Sequence, residues 1–417
     1  MKKRAVVIGG GASGMMCSIF LAKNGFETIL FEKNEKLGKK IFITGKGRCN
    51  FTNTCDHEDF FDSVVRNSKF MYSSYYGFTN LDVIDFFENA GMKTKIERGK
   101  RAFPLSDHAY DVTDALRREM KKYGVRVRLN TKVLEIIKDD NEDAVNGVLI
   151  ENLLDGSEEK IAADRVIVAT GGKSYPSTGS TGDGYRFAAR LGLKVTDTYP
   201  SLVSLLTKER FVHELAGLSL KNISFKLRSG KKNIYEGFGE LLFTHRGISG
   251  PLVLTASTKV SSMLPGTTID GYIDLKPAVS DKEFEARLIR TFSENPNKTV
   301  VNCLKGIYPS SLIPVIAGLS EIPDDTKANA LTREMRGKIV ENTKALKLTI
   351  CDTGGFGEAV ITRGGVDVRQ INPSTMECKT VRGLYFIGEV LDVDALTGGF
   401  NLQVAWSTAH ACGCAEE

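Results

Sequence analysis

Histidine is scarce in this sequence, with five in 417 residues, and the eight cysteines include no Cys-x-x-Cys pair. Cys17, Cys49, Cys55, Cys303, Cys351, Cys378, Cys412 and Cys414 have the spacing of neither a zinc site nor a disulfide framework, which fits a reducing cytoplasm. Cys412 and Cys414, with one residue between them, are too few ligands for a metal. No apolar run reaches the roughly 18 residues that a membrane span needs. Lys2 to Arg4 precede an apolar stretch, but glycines interrupt it, which argues against a secretory leader. There is no internal repeat, no low-complexity tract and no block of like charge. The net charge is +5, with Lys and Arg scattered among acids, so the balance supports mild anion attraction and no nucleic-acid partner. What is present is an ordinary globular composition, 41% apolar and 26% charged, long enough for two or three domains.

The most informative stretch is RAVVIGGGASGMMCSIFLAKNGFETILFE, from Arg4 to Glu32. An apolar run over 5–8 predicts a buried parallel strand, small and apolar residues after the glycines predict a helix, and 28–31 predicts a second strand ending in an acid. Gly9, Gly11 and Gly14 occupy the G-x-G-x-x-G positions. The first permits a tight turn, the second lets a pyrophosphate approach the backbone, and the third lets helix and strand pack closely. The helix N-terminus supplies free N–H groups and the positive end of a dipole. Glu32 suits a ribose diol and would repel a 2′-phosphate. Strand, glycines, helix, strand and acid in register predict a dinucleotide site.

Residues 33–53, rich in Gly, Lys, Thr and Asn, predict a long ordered loop. It carries Lys33, Lys39, Lys40, Lys46 and Arg48, and its place after the ribose acid lets it fold back over a cofactor. Helices are expected over 81–90 and 109–123, and strands over 94–97, 101–104 and 125–129. Strands over 133–137 and 144–152 pair as a meander around a polar turn at 139–143. The strand over 165–169 runs into Thr170 and Gly171, a second place where backbone can pass close to a dinucleotide. Between 200 and 277 the pattern is short alternating β segments, and 281–343 is charged and amphipathic, reading as helical. A third signal follows, a strand reaching Gly388 and Glu389, then a glycine pair, Gly398 and Gly399, opening an apolar helix. Ligands of open α/β sheets sit beyond the carboxyl ends of strands, where Glu389 is delivered. Three separated signals in this order favour FAD over NAD, since a nicotinamide enzyme needs only the first.

The stretches GGGASG, ITGKGRCNFTN, ATGGKSYPSTGSTGDGY, LLFTHRGISGP, TRGGVDV, TMECK and YFIGEVLDVDALTGGFNLQVAWSTA span nearly the whole chain. In them the sequence resembles the glutathione-reductase-type FAD superfamily, and more closely the BaiN-like (YhiN-type) FAD-dependent oxidoreductases. The expected fold class is therefore α/β. A discontinuous Rossmann-like FAD-binding domain takes 1–197 and 350–417, an inserted β-rich domain 198–279, and a small helical domain 280–349. The resemblance implies pyrophosphate contacts at Gly11, Ala12, Ser13 and Gly14, ribose contact at Glu32 and backbone contact to adenine at Val133. It also implies a flavin-side loop at Thr44, Gly47, Arg48, Cys49 and Asn50. Glu389, Asp392, Gly399, Asn401 and Leu402 would line the ribityl chain and isoalloxazine. Phe400 stands where many relatives would carry Tyr.

No second strand–G-x-G-x-x-G–helix unit is present, so NADH or NADPH, if it is the donor, is a transient visitor to the flavin. Cys49 and Cys55 have five residues between them and the first sits between Arg48 and Asn50, a setting unlike the redox pair of disulfide reductases. His245 and Arg246, between glycines in the inserted domain, are the candidate proton donor and anion anchor, because hydride delivery to an activated C=C bond must be matched by a proton. They equally suit a structural turn, and Tyr175 is another candidate donor. The expectation is a cytoplasmic flavoprotein that uses NAD(P)H to reduce a C=C bond in a hydrophobic conjugated ketone. By resemblance that ketone is a 3-oxo bile acid or steroid-like small molecule. The alternatives are an O2-using amine or aminoketone oxidase, a flavin redox sensor without turnover, and an RNA-modifying flavoprotein.

Overall fold

The computed structural model describes residues 2–139 and 143–416, so residues 140–142 of the expected polar turn lie outside the described residues. Contacts divide the chain into two units, Met1–Pro200 with Ala359–Glu417, and Ser201–Glu358.

The first unit is built on a parallel sheet in the order Leu384–Phe386, Arg165–Val168, Arg4–Ile8, Glu27–Phe31, Arg126–Arg128. Its central strands read as unbroken apolar runs because both faces are covered. Val7 pairs with Leu30 on one side and with Ile167 on the other, and all three are fully or almost fully buried. Burying each such side chain contributes about 1.5–3 kcal/mol. Helix Ala12–Lys23 packs against the last helix, Phe400–Gly413, and both are apolar on nearly every side. Their backbones approach so closely that a Cβ on Gly413 would lie 2.5 Å from that of Phe20. Trp406 is fully buried there and its indole N–H donates to the Phe51 carbonyl at 2.8 Å.

Around this sheet lie the meander Thr131–Asp139, Ala144–Asn152, and a third strand not expected from the sequence, Glu158–Ala162. The expected loop after Glu32 contains a short helix, Lys39–Ile43, and a tight turn, Thr44–Gly47. Gly38 makes the helix possible: it takes φ +71° and its N–H donates to the Gly10 carbonyl at 2.8 Å, clamping the segment to the glycine turn.

The second unit is a closed barrel in the order Leu205–Thr207, Gly247–Ser249, Lys232–Phe243, Ser219–Ser229, Ile269–Asp274, Leu346–Thr353. Helices Asp281–Ser293, Leu312–Leu319 and Arg333–Lys344 share its core, with Phe284, Leu288 and Ile316 in the same buried cluster as Phe225, Phe243 and Leu348. The segments 198–279 and 280–349 therefore fall in one unit. Its end moves from 349 to 358 because the strand Leu346–Thr353 is needed to close the barrel. Among the described residues no helix is long and apolar enough to cross a membrane.

Candidate cofactor site

Four neighbouring strands end at one edge of the parallel sheet, delivering Gly9, Glu32 and Ala169 directly after their strands and Gly388 two residues beyond its own. A cavity opens there, lined by the glycine turn, Glu32 and Val133, the 170–171 turn, Glu389 and Leu402.

The three motif glycines have separate causes. Gly9 takes φ +107°, and a Cβ on it would lie 2.6 Å from the Ala169 carbonyl oxygen. A Cβ on Gly14 would fall 1.9 Å from the Gly9 oxygen, so helix and strand could not pack as they do. Gly11 is different: a Cβ there would meet nothing within 4 Å, and the residue lines the cavity. Gly11 also caps the helix without a side-chain hydrogen bond. Open space at an uncapped helix N-terminus fits a pyrophosphate. Ala12 and Ser13 line the cavity beside it, whereas Gly14 serves packing alone.

Glu32 is buried and already bonded at both oxygens. Oε2 accepts from the Gly10 N–H at 2.7 Å, and Oε1 accepts from the Asn34 backbone at 2.8 Å and its amide at 2.7 Å. The acid thus locks the turn as well as bordering the cavity. Three of the lining lysines are held by acids: Lys33 by Asp183 at 2.6 Å, Lys39 by Glu35 at 2.7 Å and Lys40 by Glu389 at 2.8 Å. Glu389 also accepts from Ser174 Oγ at 2.6 Å and the Thr362 N–H at 3.0 Å. Burial would raise its pKa, but Lys40, Ser174 and Thr362 outweigh burial and hold the carboxyl below its ordinary value. Thr44, Thr170, Gly171, Asn401 and Leu402 line the same cavity. The Asn401 amide additionally pins the preceding loop, bonding Ala395 at both its N–H (2.9 Å) and its carbonyl (2.7 Å).

Other expected residues do not line the cavity. Arg48 is drawn away by Glu97 and Asp107 and lies 4.3 Å over the Phe103 ring. Cys49 is fully buried, with φ +57° and a thiol pushed up to about 12 by burial, against a small opposing effect of Thr44. Gly47 shapes its turn at φ +86°. Asn50 follows Cys49 with a buried Oδ1 that has no partner among the described residues. Asp392 is paired with Arg66 at 2.5 Å. Gly388 and Gly399 are glycines because a Cβ would lie 2.6 Å from Ser13 Oγ and 2.5 Å from the Thr52 carbonyl, respectively. The sequence reading missed Asn34, Gly38, Lys132, Ser180, Phe187 and Ile361, all of which line the cavity. Ser180 lies in the quoted STGSTGDGY stretch, while Phe187 and Ile361 carry no local signal.

In the second unit, His245 and Arg246 are exposed in the turn between Lys232–Phe243 and Gly247–Ser249, where the Thr244 N–H donates to the Gly247 carbonyl at 2.8 Å. The His245 ring lies 5.5 Å from that of His213. Tyr175 sits in the first unit at φ +49°, before the turn Pro176–Thr178.

Residues 3–415 match the family described as HI0933-like protein Rossmann domain. The chain belongs to that family. As a member of it, it is 33% identical over 408 residues to the ribosomal RNA dihydrouridine synthase of Escherichia coli (strain K12), spanning 98% of this chain and 96% of that protein. It is also 33% identical over 419 residues to the 3-dehydro-bile acid delta(4,6)-reductase of Clostridium scindens, spanning 98% of each. Among solved structures, 3-ketosteroid delta1-dehydrogenase from Sterolibacterium denitrificans is similar in fold, with a TM-score of 0.54 and 12% identity over 99% of this chain and 98% of that one. This HI0933-like protein is an FAD-dependent oxidoreductase with a Rossmann-like cofactor fold.

Proposed function

We propose that this protein reduces a C=C bond conjugated to a carbonyl, with NADH or NADPH as the electron donor. The observation that supports it most is the full-length similarity to two proteins whose names describe one kind of step. A delta(4,6)-reductase of a 3-dehydro acid saturates C=C bonds conjugated to a ketone, and dihydrouridine is uridine whose ring C=C bond, conjugated to a carbonyl, has been saturated. When bound, FAD supplies the centre that takes up two electrons and passes them on as hydride. The residues of the chain hold it: Gly11, Ala12 and Ser13 for the pyrophosphate, Glu32 for the ribose, Val133 for the adenine, and Leu402 with Asn401 at the flavin end. His245 is the proposed proton donor to the carbon or oxygen that becomes basic as hydride arrives, and Arg246 the anchor for its negative charge.

The first substrate class is a small hydrophobic conjugated ketone, 3-oxo bile-acid or steroid-like, handled in a reducing cytoplasm where the eight free cysteines stay as thiols. A second reading, a uracil of ribosomal RNA, is favoured by the equally similar synthase and sets aside the expectation of no nucleic acid. Anaerobic NADH or NADPH should bleach the flavin absorbance, and an added enone should restore it. The same reduced protein, incubated with unmodified ribosomal RNA, should form dihydrouridine if the second reading holds. Bleaching by neither nicotinamide, or restoration by neither acceptor, overturns the proposal, and hydrogen peroxide release with an amine substrate would replace it by an oxidase.

A further inference from the structure

We propose that the tip of the barrel's long hairpin, Arg228 to Lys232, is a docking point for the phosphate backbone of RNA. The inference rests on the RNA reading above. Strands Ser219–Ser229 and Lys232–Phe243 meet in a tight turn at Gly230, φ +55°, and Ser229 pairs with Lys232. Arg228, Lys231 and Lys232 are exposed, three positive charges within five residues. Among the described residues none of the three forms an ion pair with an acid.

The charges beside them are otherwise compensated. Lys226 holds Glu236 at 3.2 Å, and Asn233 donates to the same carboxylate at 3.2 Å. Asp270, directly opposite Arg228 in the adjoining strand, is held by Lys347 at 3.4 Å, and Asp274 by Lys344 at 2.8 Å. Glu236 and Asp270 are thereby engaged by other cations, and among the described residues the three cations of the tip are left without an acid partner. Phe238 lies on the same hairpin, paired with Ser224 and 66% exposed, an aromatic face on which an unpaired base can stack. A hairpin with a cationic end and an exposed ring suits structured RNA, whose phosphates reward clustered cations by releasing counterions.

The test uses the FAD-loaded protein and ribosomal RNA stripped of protein. Binding is measured across a salt series for the wild type, for R228E/K231E/K232E and for F238A. For the triple variant the log–log slope of affinity against salt should become shallower by about two to three, and affinity near physiological salt should fall roughly tenfold or more. Flavin content and enone-driven reoxidation should be unchanged in it, since these side chains lie outside the cofactor cavity. F238A should weaken binding without changing the slope. An unchanged slope in the triple variant, or wild-type protein that does not retain ribosomal RNA, overturns the proposal. So does tighter binding to anionic phospholipid vesicles than to RNA, lost on the same charge reversal. Salt-sensitive RNA binding through the tip without dihydrouridine formation supports the docking site and overturns only the RNA-substrate reading.

Discussion

Lys40 and Glu389 are 349 positions apart in the chain, and their Nζ and Oε2 atoms meet at 2.8 Å on the wall of the cavity. The pair joins the helix Lys39–Ile43 to the end of the last strand, while Ser174 and Thr362 add two further segments to the same carboxylate. Glu389 is thus both a lining residue and the knot that closes the pocket. The side chains are 24% and 12% exposed, so removing one partner strands a largely desolvated charge. Lys40→Met should cost about 3 kcal/mol in urea unfolding of the holoprotein. It should also speed FAD release, measured by the rise in free-flavin fluorescence.

The same carboxyl gives a pH dependence with a definite sign. Its folded pKa lies below the ordinary 4.5, because Lys40, Ser174 and Thr362 outweigh burial. Its contribution is therefore complete above the unfolded value and disappears as pH falls through the lower folded value. Glu389→Gln should remove part of the acid-side slope of stability against pH and leave the neutral-to-alkaline side as it was. Parallel wild-type and variant curves below pH ~4 would contradict this.

Two glycines of one motif should respond in opposite ways. Gly14→Ala places a methyl against the Gly9 carbonyl, 1.9 Å from its oxygen, and should destabilise the fold by about 1–3 kcal/mol. Gly11→Leu meets no protein atom within 4 Å at its Cβ and should leave the melting temperature of the apoprotein nearly unchanged. It projects into the cavity where the pyrophosphate is proposed to bind, however, and should abolish flavin retention. The flavin-to-protein absorbance ratio and the apoprotein Tm, measured together, separate the two effects.

The cofactor fold was legible because its signals are local. An apolar run, spaced glycines and an acid are read within about thirty residues, and glycines followed by small and apolar residues locate the starts of both Ala12–Lys23 and Phe400–Gly413. Arg48 and Cys49 were less legible, since nothing within their own stretch reveals Glu97, Asp107 and Phe103, which pull the loop from the cavity. Gly388 and Gly399 mark close backbone approach in any sequence, but whether a ligand or another chain segment approaches is decided by Ser13 and Thr52, hundreds of residues away. Barrel closure depends on Leu346–Thr353 returning after a run of helices, which no local pattern announces. Ile361 reaches the cavity only after that return, and Phe187 reaches it from the helix Asp183–Arg190.

Thiol chemistry supplies a fourth test. Burial pushes Cys49 up to about 12 and, with Asp59 and Asp56 adding to it, Cys55 up to about 11, so neither is a thiolate at neutral pH. Among the eight cysteines Cys414 alone is exposed and Cys351 is half-buried. Native protein at pH 8 should therefore be alkylated first at Cys414, with Cys49 and Cys55 modified only on unfolding. Cys49→Ser should reduce and reoxidise its flavin at nearly wild-type rates, and a tenfold loss in either half-reaction would restore the case for a cysteine redox step.

The proton donor is tested by separating those two half-reactions. A nicotinamide reducing the flavin needs no proton from the protein, whereas saturating a conjugated C=C bond leaves a basic carbon or oxygen that must be protonated. If His245 is the donor, His245→Asn should slow reoxidation by an enone by about 10²–10⁴-fold and leave flavin reduction unaltered. The exposed position of His245 makes a folding defect an unpromising explanation for such a loss, and a matching Tm checks it. Arg246→Gln should mainly raise KM for an acceptor that develops negative charge. His213, whose ring lies 5.5 Å away, gives the control: His213→Asn should leave both half-reactions near their wild-type rates. Equal slowing of both half-reactions by His245→Asn would remove it from the chemistry and turn attention to Tyr175.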